Sequence, residues 1–214
     1  MPAVPIGIGW AAVGAGVGVL VRLASVWLAR GEKLEAGRRR WQAYGPVLVT
    51  ALLFGLFGWR IGASPVLLIR SLWLAVLVQV IFFDLEHQLI LDRVLLPAAL
   101  AAAVLSVFTP NLGLVASLLT GIVTGLIFLA IAMLGSVVFR AEAMGFGDVK
   151  FSVFMGLILG PRPTFNAVVM GLVLAGVVAI GLVLLQLRTM RDSIPYGPFL
   201  AAGAVVALFL LGGA

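Results

Sequence analysis

Long apolar runs alternate with short polar stretches along the whole chain. The runs fall at about residues 6–28, 46–57, 66–83, 94–108, 114–138, 149–159, 165–187 and 197–211. Several reach or approach the roughly 20 residues that a helix needs to cross a bilayer. Within hydrocarbon every backbone N–H and C=O needs a partner from the chain itself, which a helix supplies locally, and the runs lack the strict alternation of barrel strands. The pattern therefore predicts an all-α fold: a polytopic membrane helical bundle of about eight transmembrane helices, forming a single domain over residues 1–214.

Composition agrees with the pattern and then narrows the chemistry. Of 214 residues, 63% are hydrophobic and 10% charged, with a mean hydropathy of +1.24. No soluble domain has that balance. There is no cysteine, so disulfides, thiolate metal sites and a cysteine nucleophile are excluded. The single histidine, His87, cannot build a histidine zinc site alone, and neither H-E-x-x-H nor G-x-x-x-x-G-K-[ST] occurs. No metal and no cofactor are expected. The net charge of +6 would suggest nucleic acid in a soluble protein. Beside apolar helices, basic residues report topology and contact with membrane lipid instead, so no nucleic-acid partner is expected.

The first run is too long for a removable signal peptide and lacks its basic start and cleavage site. Gly14-Ala-Gly-Val-Gly18 within it and Gly121-x-x-x-Gly125 in the fifth run have the small-residue spacing that lets helices approach closely, within one chain or between chains. Oligomeric state stays open at this point.

Residues 30–45 form a short basic loop, with Arg30, Lys33, Arg38, Arg39 and Arg40 in it. Loops dense in Lys and Arg stay in the cytoplasm, and alternation then orients every later helix. Under that threading Arg93, Arg140, Lys150, Arg188 and Arg191 also fall inside, whereas only Arg60 and Arg162 fall in outer loops. Since the first loop alone set the orientation, the remaining asymmetry checks it independently.

Two acidic stretches now share the cytoplasmic face. One is Asp84-Leu-Glu-His-Gln-Leu-Ile-Leu-Asp92, at the end of the third run; the other is Gly145-Phe-Gly-Asp148-Val-Lys150, at the threshold of the sixth. Asp148 could be an N-cap with glycines easing the turn, and Asp84 a hydrated acid facing Arg93 or lipid headgroups. Yet a carboxylate at a helix C-terminus faces the negative end of the dipole, so Asp84 requires compensation, by protonation or by a partner across the bundle. We expect Asp84 and Asp148 to meet as a catalytic pair. Gly145 and Gly147 would let backbone approach an extended substrate, and Lys150 would orient a carboxylate. Asp92 is a plausible cap for the fourth helix. Glu86, Asp92 and Glu142 are possible contacts for a basic substrate segment, and His87 is a loop residue.

These residues carry a resemblance. Asp84 to Asp92 followed by Leu-Leu-Pro97 resembles the first aspartate motif of type IV prepilin peptidases, and Met144-Gly-Phe-Gly-Asp-Val-Lys150 resembles the second. Leu52-Leu-Phe-Gly-Leu-Phe-Gly-Trp-Arg60 and Ile194-Pro-Tyr-Gly-Pro-Phe-Leu-Ala-Ala-Gly203 are also similar to stretches of that family. The resemblance implies a GxGD intramembrane aspartyl protease. Such an enzyme cuts the basic leader from prepilins or pseudopilins at the cytoplasmic face of the inner membrane, with Asp84 and Asp148 as its aspartates. Many members carry a cysteine-containing zinc insertion and methylate the new N-terminus. Here the corresponding segment is only the short basic loop without cysteine, so zinc is excluded and methyl transfer is not carried over. The competing reading is an ion- or proton-coupled transporter that uses the same aspartates, and a third is a structural subunit of a secretion apparatus.

Overall fold

The computed structural model describes residues 3–35, 37, 39–139, 144–186 and 195–211. Its helices, in chain order, are α1 (Ala3–Gly31), α2 (Arg40–Ile61), α3 (Pro65–His87), α4 (Asp92–Leu105, continued by a 3-10 turn at Ser106–Phe108), α5 (Leu114–Phe139), α6 (Phe146–Leu159), α7 (Pro161–Leu184) and α8 (Gly197–Leu210). The expected count of eight is met, and no strand occurs among the described residues. Five helices, α1, α2, α3, α5 and α7, are long and apolar enough to cross a membrane by themselves. The other three have 14 residues each and rise only about 21 Å, short of the roughly 30 Å of bilayer hydrocarbon.

Burial separates these elements into centre and rim. In their most apolar windows, 61% of α3 is buried but only 17% of α7 and 22% of α1. α6 and α8 are short yet deeply buried along their lengths, from Val149 to Leu159 and from Gly197 to Leu208. α1 packs on α2, α2 on α3, α3 on α8 and α8 on α7, while α5 and α4 flank α6, which also touches α7 and α8. The centre is therefore α3, α6 and α8. Trp73 of α3 meets Phe154 of α6 edge-on, with centroids 5.9 Å apart.

Packing rather than water exclusion must hold such helices together, because lipid tails are as apolar as the helix faces. The small-residue spacings serve this role within the chain. A methyl on Gly18 would stand 2.5 Å from Val47 Cα of α2, and one on Gly156 of α6 would stand 2.7 Å from Gly121 Cα of α5. Polar side chains add links between helices: Trp10 Nε1 donates to Ser71 Oγ (2.8 Å), Gln79 Nε2 to Ser25 Oγ (2.9 Å) and Ser117 Oγ to the Leu157 carbonyl (2.7 Å).

Several boundaries move from their sequence expectations: α2 ends at Ile61 rather than near residue 57 and α7 begins at Pro161 rather than near residue 165, so Arg60 and Arg162 lie in helices, not in outer loops. α2 begins at Arg40 rather than near residue 46, and α3 runs to His87 rather than ending at residue 83. The polar residues Asp84, Glu86 and His87 are thus helical, and a left-handed Gln88 (φ 52°) closes the helix with its N–H on the Asp84 carbonyl at 2.8 Å.

Candidate active site

Three helix ends converge on the two aspartates: the last turns of α3 and the first turns of α6 and α8. Asp84 is 5% exposed on α3. Its carboxylate accepts the backbone N–H of Gly197, the first residue of α8. The residue that looked misplaced at a helix C-terminus therefore sits at the positive end of another helix. This is the partner across the bundle that the dipole argument demanded. Gly197 leaves the room for it, because a methyl there would stand 2.5 Å from Asp84 Oδ2 and 3.2 Å from Ile90 Cδ1.

Asp148 enters from α6. Gly145, in extended conformation (ψ 144°), is the N-cap, and its carbonyl accepts the Asp148 N–H at 3.1 Å. Asp148 is therefore not the cap but the third residue of the first turn, half-buried, with no side-chain hydrogen bond or ion pair among the described residues. It lies within electrostatic reach of Asp84. Gly147 brings α6 against the chain between α3 and α4: a methyl there would stand 3.0 Å from Ile90 Cβ. Ile90 is the apolar wedge touching both glycines, Gly147 beside one acid and Gly197 beside the other.

The surrounding charged residues take other roles than expected. Lys150 does not orient Asp148; its Nζ bonds both carboxylate oxygens of Asp92, at 2.8 and 2.6 Å, latching the start of α6 to the start of α4. Asp92 is not a cap either, since the N-cap of α4 is Leu91 and Asp92 follows it. Glu86 is 7% exposed in its side chain and binds inward: it accepts the Gly37 N–H, pairs with Arg22 Nη1 at 3.3 Å and touches His87 Nε2 at 3.4 Å. His87 belongs to α3 and packs on Phe83, with centroids 4.6 Å apart, rather than lying in a loop. Arg93 pairs with Glu32 at 3.8 Å, not with Asp84. Glu142 lies outside the described residues.

Sequence reasoning gave Gly197 and Ile90 no role. The signal for Gly197 was available in the Tyr-Gly-Pro of the 194–203 stretch. Ile90 had none, because its importance comes from contacts that no local pattern encodes.

The sequence profile of the type IV leader peptidase family matches residues 71–180, which include both aspartates. Among similar proteins, the prepilin leader peptidase/N-methyltransferase of Bacillus subtilis strain 168 is 29% identical over 192 residues, covering 88% of this chain and 74% of that protein. The protein of the same name from Pseudomonas aeruginosa strain PAO1 is 32% identical over 171 residues, 75% of this chain and 56% of that one. That from Dichelobacter nodosus is 30% identical over 138 residues, 62% and 46%. The chain thus spans from about half to three quarters of the length of these relatives. No solved structure matches it. With a profile that covers half of the chain and brackets the two converging acids, the chain belongs to the type IV leader peptidase family.

Proposed function

We propose that this chain is a membrane-embedded aspartyl endopeptidase that removes the basic leader of type IV prepilins or pseudopilins. It would act at the cytoplasmic face of the inner membrane, with Asp84 and Asp148 as its catalytic residues. The observation that carries the reading is the convergence of the two carboxylates at the N-termini of α8 and α6, against backbone and glycine rather than against cations.

The reaction follows from two acids in one low-dielectric place. Like charges held close resist joint ionisation, so the pair works as one unit sharing a proton. The ionised member takes a proton from water as the water oxygen attacks the scissile carbonyl carbon. The protonated member donates to the carbonyl oxygen. Collapse of the tetrahedral diol breaks the C–N bond, the leaving amine takes a proton, and the pair returns to its starting state without an acyl-enzyme.

The test uses the purified full chain and a membrane-inserted prepilin with a Lys-Gly or Arg-Gly leader junction, followed by mass shift. Wild type removes the leader, and Asp84→Asn and Asp148→Asn, each shown folded by circular dichroism, do not. Cleavage by either variant overturns the two-aspartate mechanism. Failure of wild type on several such substrates overturns the substrate class and directs the next test to ion flux.

A further inference from the structure

Helices α5 and α7 both touch α6 but barely touch each other, and the seam between them is an apolar groove of about 450 Å³. α5 gives it Val123, Ile127 and Phe128, which share one helix face, and α7 gives it Phe165 and Val168. Its three threonines turn their hydroxyls onto their own helices. Thr120 donates to the Ala116 carbonyl (2.6 Å), Thr124 to that of Thr120 (2.7 Å) and Thr164 to that of Gly160 (2.6 Å), so none offers the groove an unmet donor. Among the described residues no charged one lines it.

The groove leads to the acids. α5 and α6 run antiparallel, since a methyl on Gly156 would meet Gly121 while one on Gly125 would meet Val153. Five residues further along each helix, counted from Gly125 and Val153, Asp148 comes level with Ala130, just past Phe128 at the inner end of the groove. Burial ends there too. No position of α5 from 129 to 138 is buried, nor any of α7 from 176 to 184, so both helices stand bare beyond the level at which α6 and α8 begin. A second apolar groove lies between α7 and α8, but glycine closes that seam: a methyl on Gly171 would stand 2.9 Å from Leu200 Cα. It is a crease between packed helices, with no room for another to enter.

A substrate that stays in the membrane while its basic leader is cut at the cytoplasmic side has to carry an apolar segment next to that leader. Charge along this path is complementary to that order, with Asp84 and Asp148 at the inner end and an uncharged groove running outward from them. Helices in lipid associate through shape and close contact, so a groove without an unmet polar group suits an apolar helix. We infer that the groove between α5 and α7 receives the apolar helix of the membrane-inserted substrate, its first turn beside Asp148 and its length running outward between the two helices. This rests on the peptidase reading and adds to it the surface that selects the substrate.

The purified full chain tests it on two substrates with one leader junction, a membrane-inserted prepilin and a short peptide that lacks the apolar helix. Val123→Trp, which fills the groove from an exposed position, lowers the ratio of prepilin to peptide cleavage about tenfold, with the change in KM. Leu20→Trp on the outer face of α1 and Val173→Trp in the α7–α8 crease keep the wild-type ratio. Because the chain has no cysteine, Val123→Cys can carry a single benzophenone. In the Asp148→Asn background it captures the prepilin on illumination, whereas Leu20→Cys does not. The groove is refuted if Val123→Trp keeps the wild-type ratio, if Val173→Trp lowers it instead, or if both cysteine positions capture equally. Capture decides the matter if wild type leaves the peptide whole or Val123→Trp fails to fold. Wild type that cuts neither substrate overturns the peptidase reading and the groove with it; wild type that cuts both, with Val123→Trp matching it, overturns the groove alone.

Discussion

Asp84 and Asp148 differ from Glu86 and Asp92 in their company, although all four acids crowd one end of the bundle. Glu86 holds Arg22 and the Gly37 N–H, and Asp92 holds Lys150 through both its oxygens. Asp84 has a backbone N–H from Gly197, and Asp148 has no side-chain partner among the described residues. An acid answered by a cation is spent on tying elements together. An acid answered by helix ends and glycine keeps its oxygens for other atoms, which is what hydrolysis needs. The sequence places both kinds within a few residues of each other, so type and spacing alone do not sort them.

The sharpest way to break this distinction is to remove each acid's charge at constant shape. Asp84→Asn or Asp148→Asn should lower leader cleavage by at least about a thousandfold while the thermal midpoint falls little. Gly197→Ala keeps both acids but pushes a methyl against Asp84 Oδ2; kcat/KM should drop about ten- to a hundredfold with the far-ultraviolet spectrum intact. Glu86→Gln should do the reverse. Leaving Arg22 without its charge partner should remove about 2 kcal/mol of stability in a denaturant titration, while cleavage per folded molecule holds. A folded Glu86→Gln protein that cannot cut would abolish the division between tying and reacting acids. The smallest effect belongs to the Lys150 and Asp92 pair, whose side chains are 44% and 49% exposed. A double-mutant cycle with Lys150→Met and Asp92→Asn should return about 0.2–1 kcal/mol, shrinking as salt is added.

How much of this was legible beforehand depends on whether the information is local. Helix number, the polar stretches and the convergence of the acids followed from apolar length and from alternation across a membrane, both of which a single chain displays. Helix ends were less legible. Polarity that begins at Asp84 predicts an end to the third run at residue 83, yet α3 continues to His87, with Glu86 turned inward onto Arg22 and Gly37. The interior order was not legible at all. α3, α6 and α8 are apolar on every side, so they offer no polar face from which a neighbour could be inferred. Nearness in the chain assigns Lys150 to the acid two residues away, whereas its partner, Asp92, is distant in the chain and comes close only where α4 packs on α6. The small-residue spacings were the exception, since a glycine pair names a close approach even before its partner helix is known.

The shortness of α6 and α8 has an electrical consequence. A membrane is a thin insulator, and any voltage across it falls mostly over the region that excludes water. Where two of the three central helices, α6 and α8, rise only about 21 Å within a layer of about 30 Å, the insulating path along them is shorter than in the surrounding lipid. The gradient is steeper along that path. A buried cation such as Arg70 of α3, only 5% exposed, stands inside that steeper field, whereas the exposed pair of Lys150 and Asp92 stands outside it.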